Sequence, residues 1–192
     1  MEYIVKKILD KLEDIGAINK NKLELYEYVL LMKLEKYVVL LSVAILSIAT
    51  DSIFETIIFM ACFSAIRKRA GGYHASTFIK CYLLSKFIYL SFILKFLYIM
   101  MNNFVTTVIE YLVVTAAFMY IGAVNNPNID WNDCELDESS KKLRQILMGI
   151  LVLVVFASLF NRFKKYVCCA IFGVALSFIL LLLGKISLND KN

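Results

Sequence analysis

Apolar residues recur every three or four positions at the start of the chain and then give way to long, almost uncharged runs. Within residues 1–36, Ile4, Ile8, Leu12 and Ile15 share one potential helix face, and Gly16 and Asn19 interrupt the run. Leu23, Tyr26, Leu30 and Leu34 resume it among Lys22, Glu24, Glu27, Lys33, Glu35 and Lys36. This spacing predicts amphipathic helices, which with charged outer faces lie at or pack near a membrane surface. A part in binding a substrate peptide is the other reading of the same run.

The apolar runs begin at residues 37–50 and 53–66, separated by Asp51 and bearing Glu55. A helix of fourteen residues rises ~21 Å, short of a ~30 Å hydrocarbon core. The two runs are therefore either short or flank-extended helices forming a hairpin, or one long helix interrupted by acids. Residues 82–101 and 104–124 are each long enough to span, with Asn102-Asn103 as the turn between them. Counting outward from that turn puts Lys95 and Glu110 at equal depth, ~11 Å along their helices. An ion pair there would relieve the cost of charge inside a bilayer. Residues 125–145 are polar, contain Pro127 and read as a loop with the start of a helix; 146–160 and 166–184 make a last apolar pair.

Composition turns these segments into a class. Hydrophobic residues make up 60% of the 192, against ~45–50% in soluble domains, and the mean hydropathy is +0.72. The reading is an all-α, polytopic helical membrane protein with N-terminal amphipathic helices. The charged N-terminus has no early apolar stretch, so no removable signal peptide is expected. The net charge of +5 does not imply nucleic acid, because the basic residues lie beside apolar segments rather than in a basic domain. They follow the positive-inside bias instead. With both termini and the loops at 67–73 and 125–145 cytoplasmic, only Arg162, Lys164 and Lys165 remain outside, which favours six membrane segments. The basic 161–165 loop breaks the rule locally and leaves a re-entrant or shallow last pair open. Nothing resembles an interdomain linker, so a single domain is expected, with amphipathic residues 1–36, a membrane-embedded core over 37–184 and a tail at 185–192.

The candidate chemistry sits in Arg67-Lys-Arg-Ala-Gly-Gly-Tyr-His74-Ala-Ser-Thr-Phe-Ile-Lys-Cys81, which holds the only histidine of the chain. A thiol near neutral pH is mostly protonated, and an adjacent imidazole can take its proton and hold the thiolate. On one continuous helix the two side chains would stand ~10.5 Å apart along the axis, too far for proton transfer. Gly71 and Gly72 supply the freedom for a turn, and Ser76 or Thr77 can cap a helix that begins there. His74 then folds back from the loop over the first turns of the helix carrying Cys81. Cys62, Cys168 and Cys169 lie in apolar runs and read as small hydrophobes. Cys134, in the polar stretch, reads as a spectator. No cysteine pair has metal-ligand spacing.

The block R-x-x-x-G-G-x-H-x-x-x-x-x-x-C resembles the signature of the accessory gene regulator B (AgrB) family. Asn125-Asn-Pro127-Asn-Ile-Asp130, followed by Glu138, Lys141 and Lys142, is similar to that family's Pro-containing cytoplasmic loop and charged helix start. The resemblance implies a membrane cysteine endopeptidase of the Gram-positive cell membrane, with its site on the cytoplasmic side. Its substrate would be an AgrD-like quorum-sensing propeptide, and its C-terminal part would be removed as the rest is closed into a thiolactone or lactone. It further implies His74 as base, Cys81 as nucleophile, no metal or organic cofactor, and a homodimer in the lipid bilayer. Arg67, Gly71, Gly72, Ser85, Lys141 and Lys142 would support the site or bind substrate. A peptide exporter without proteolysis, needing no Cys81, and a structural subunit needing neither residue are the alternatives.

Overall fold

The computed structural model describes residues 5, 7–9, 11–12, 23–71, 77–125 and 131–189. Among these it is all-helical, with 91% helix and no strands. The chain divides into two compact units, Met1–Leu46 and Ser47–Asn192. Most of the first amphipathic run, Ile4 and Ile15 included, lies outside the described residues.

Helix α1, Leu23–Ala49, begins in the first unit and joins the second amphipathic run to the first apolar run without a break. Nothing at Lys36-Tyr37 interrupts a helix: there is no glycine or proline, and lysine stems lie along apolar surface while their charges reach out. The expected boundary at 36/37 is therefore a change of polarity rather than of structure. A turn at Thr50-Asp51-Ser52 follows, where Asp51 takes φ 48° and the Ser52 amide donates to the Ser47 carbonyl at 2.9 Å. Of the two arrangements left open for residues 37–66, separate helices form.

The second unit contains α2 (Ile53–Ala70), α3 (Phe78–Asn102), α4 (Phe104–Ile121), α5 (Asp133–Ser158) and α6 (Lys164–Asn189). Among the described residues, three helices are long and apolar enough to cross a membrane: Phe78–Asn102, Phe104–Ile121 and Asn161–Ile186. The last is the axis of the bundle, since α6 packs on α2, α4, α5 and the C-terminal half of α3. Its apolar window is 56% buried, against 17% and 22% for the other two. A Cβ on Gly173 would stand 3.0 Å from the Phe59 carbonyl oxygen, so the backbones of α2 and α6 approach closely because a residue without a side chain lies between them.

Around that contact Phe92 stacks on Phe172 with ring centroids 4.1 Å apart, and Phe59 lies 5.6 Å from each. Nearby, the Tyr89 hydroxyl joins Thr56 Oγ1 at 2.7 Å and Ser52 Oγ at 3.1 Å, tying α3 to the start of α2. One charged contact also crosses the bundle: Lys165 Nζ lies 2.5 Å from Glu55 Oε1, whose side chain is 8% exposed.

Lys95 and Glu110 do not pair; both are exposed, and the ion pairs among the described residues are Glu55–Lys165, Asp137–Lys141 and Glu138–Lys142. The equal-depth count assumes that α3 and α4 pack side by side. Beyond the Asn103 turn α4 packs on α5 and α6 instead, so Lys95, in the π-helical stretch Phe92–Phe96, has no α4 residue opposite it.

Candidate active site

Helix α2 ends in Arg67, Lys68 and Arg69 and stops at Gly71, which takes φ 69°. The stop is made by a neighbouring segment: the Val124 amide donates to the Ala70 carbonyl at 2.9 Å, and Gly71 forms an isolated parallel bridge with Val124. A Cβ on Gly71 would stand 2.0 Å from the Val124 carbonyl oxygen. The Arg67 guanidinium reaches forward toward the end of its own helix and donates to the Gly71 carbonyl. Gly71 thus uses the conformational freedom of glycine at the end of α2.

Helix α3 begins at Phe78. Thr77 is its N-cap, in extended conformation, with its side chain accepting from the Lys80 amide. Cys81 lies in the first turns, its amide donating to the Thr77 carbonyl at 3.1 Å, and its side chain is free and exposed. Ser85, one turn on, donates its hydroxyl to the Cys81 carbonyl at 2.8 Å, so it is spent on the backbone rather than aimed at the thiol. Arg67 and Cys81 are electrostatic neighbours: burial pushes the guanidinium below its ordinary value, and Cys81 pushes it back up. Arginine keeps its proton under either influence. A cation accordingly stands near the one exposed thiol at the start of α3. Gly72, His74 and Ser76 lie outside the described residues.

The polar segment 125–145 closes on the same end of α2. Asn125 is tied to Trp131 twice, donating Nδ2 to its carbonyl and accepting its amide at Oδ1, both at 3.0 Å. Asn126, Pro127 and Asp130 lie outside the described residues. Two successive serines of α5 then reach across: Ser139 donates to the Arg69 carbonyl and Ser140 accepts the Ala123 amide, each at 3.0 Å. Arg144 donates from Nε to the Met119 carbonyl at 3.1 Å. These bonds satisfy backbone groups that helix ends leave without partners.

The family model for accessory gene regulator B matches residues 2–181 of the 192. The chain belongs to the AgrB family. No curated protein and no solved structure gave a match. Membership implies processing of an AgrD propeptide in quorum sensing, and the family is membrane-associated.

In this AgrB-family chain the two similar sequence blocks meet in space, since Arg69, Ala70 and Gly71 of the first touch Ser139 and Val124 beside the second. Lys141 and Lys142 face outward. Lys141 pairs with Asp137 at 2.7 Å and Lys142 with Glu138, all four side chains being exposed. The Lys142 ammonium holds the Glu138 carboxyl below its usual range, and Asp137 holds Lys141 above its own. Cys134 stands in the first turn of α5 rather than in a loop, because the helix starts at Asp133. The Glu135 carboxylate accepts the Asn132 amide at that start, at 3.0 Å. Ser139, Ser140 and Trp131 are not among the residues the sequence motifs single out, although two small hydroxyl residues inside an otherwise charged helix start are a legible sign of a contact face.

Proposed function

We propose that this AgrB-family protein is a membrane cysteine endopeptidase that removes the C-terminal part of an AgrD-like propeptide and closes the remainder into a thiolactone or lactone. His74 takes the Cys81 proton, and the thiolate attacks the carbonyl carbon of the scissile peptide bond. The C–N bond breaks as the imidazolium returns its proton to the leaving amine. An acyl thioester remains on Cys81. A cysteine or serine within the bound peptide then attacks that carbonyl, forming the ring ester or thioester and releasing the Cys81 thiol. Water must be kept from the intermediate for cyclisation to outrun hydrolysis.

The observation that carries this reading is the position of Cys81, exposed in the first turns of α3 just after the Thr77 N-cap. In the same reading residues 37–184 form the catalytic core with six membrane segments, amphipathic N-terminal helices rest at the cytoplasmic surface, and the site opens on that side of a homodimer. Gly72 gives the His74 loop its freedom, Ser85 steadies the first turns of α3, and Lys141 and Lys142 meet acidic groups of the propeptide.

Co-expression of a candidate propeptide with wild type and with Cys81→Ala, read by mass spectrometry, tests the proposal. Cleaved cyclic product from wild type alone supports it. Uncut peptide exported by both forms would favour a transporter, and no effect of either would leave a structural subunit.

A further inference from the structure

The basic 161–165 segment has no part in the chemistry above, and it lies at the far end of the bundle from Cys81. Helix α2 fixes the distance: Glu55, which holds Lys165, is near its start and Arg67 near its end, ~18 Å apart along the axis. Beside this basic end a cavity of about 210 Å³ lies among α2, α5 and α6. Ile58 and Cys62 form one wall, Leu153 and Ala157 a second, and Tyr166 and Ala170 the third; no charged side chain is among the lining residues.

We propose that this groove binds one acyl chain of an anionic phospholipid, with the headgroup held at Arg162 and Lys164. Phe163 links the two parts. It lines the groove, and it belongs to the short 3-10 turn Asn161–Phe163 that places Arg162 immediately before it and Lys164 immediately after it. Lys165 is committed to Glu55. Lys164 also lies over the Phe104 ring, Nζ 5.2 Å from the centroid, a weak contact that a phosphate can share. Arg162 is exposed, and its planar fork suits a phosphate oxygen pair. An apolar cavity facing hydrocarbon loses dispersion contacts if empty, so a lipid tail is the natural filling. The basic rim then selects among headgroups.

This places anionic lipid where the positive-inside bias alone leaves cations unexplained. The near wall of the groove, at Cys62, lies ~8 Å along α2 from Arg67, and its basic rim lies farther still. The inference rests on the membrane-spanning arrangement and not on the thiol chemistry.

The test uses full-length protein purified in mild detergent and offered phosphatidylglycerol or phosphatidylcholine in mixed micelles, with retained lipid counted by native mass spectrometry. Wild type should retain one phosphatidylglycerol about tenfold more readily than phosphatidylcholine. The surface variant Arg162→Gln/Lys164→Gln should lose that preference, and Ala157→Phe, which fills the groove, should lower retention of both lipids. Equal retention by wild type, or an undiminished preference in the double variant, overturns the proposal. So does oxidative crosslinking of Ala157→Cys to a second copy in native vesicles, which would make the groove a protein interface. Resistance to carbonate extraction reads the spanning arrangement separately, and propeptide cleavage by the same variants reads the chemistry.

Discussion

The Gly71 Cα and the Val124 carbonyl approach so closely that a methyl group on Gly71 would lie 2.0 Å from that oxygen. Because Gly71 also takes φ 69°, Gly71→Ala meets a backbone clash and a strained conformation together. It should destabilise by well over ~1 kcal/mol and abolish propeptide processing, measured by thermal unfolding in detergent and by mass spectrometry. Gly149→Ala is the control: its added methyl meets nothing within 4 Å, and in a helix interior it should stabilise by roughly 0.5–1 kcal/mol.

Cys81→Ala and His74→Ala should each eliminate cleavage while leaving membrane insertion intact, since nucleophile and base act as one unit. Cys81→Ser should be nearly inactive too, a serine hydroxyl being a poor nucleophile with imidazole alone. Normal processing by either alanine variant would end the thiol-protease reading.

Two exposed thiols, Cys81 and Cys134, provide an internal comparison, and Cys168 and Cys169 are buried. Iodoacetamide on the folded protein should label the exposed pair first and reach the buried pair only after denaturation. His74→Ala should slow labelling at Cys81 and leave Cys134 unchanged. Peptide mapping at several times after mixing decides this, and an equal rate at Cys81 with and without His74 would remove the proposed base.

Glu55 and Lys165 should behave as a coupled pair. Removing one partner leaves the other charge uncompensated, so Glu55→Gln or Lys165→Met alone should lower stability more than the double substitution does. The single losses should fall below the ~3–5 kcal/mol of a fully buried pair, because the Lys165 side chain is 45% exposed. Strictly additive losses in unfolding experiments would refute the coupling.

The Glu138–Lys142 contact makes a pH prediction of definite sign. Lys142 lowers the Glu138 value in the folded protein, so its contribution is present above the unfolded carboxyl value and fades as pH falls through the lowered one. Lys142→Met should therefore reduce stability at neutral pH slightly and not at pH 2. If Lys141 and Lys142 also meet substrate acids, Lys141→Glu/Lys142→Glu should raise KM with little change in kcat.

Residue types and spacing by themselves determined the helical membrane class, the nucleophile and base to test, and a helix stop at the glycine pair. Those features are local: a long apolar run, a lone histidine near a cysteine and a Gly-Gly pair carry their meaning without knowledge of neighbours. Only the tertiary structure decided that the 125–145 segment closes on the end of α2, because Ser139 and Val124 find Arg69 and Ala70 only after distant helices have packed. The same holds for charge. Lys95 and Glu110 match in simple depth, but beyond their turn α4 packs on α5 and α6 rather than on α3, whereas Glu55 and Lys165 meet because α2 and α6 pack side by side, with Gly173 allowing their backbones to close. Depth along a helix can be counted from residue numbers; the direction a side chain faces, and which helix stands opposite, depend on how the whole bundle packs.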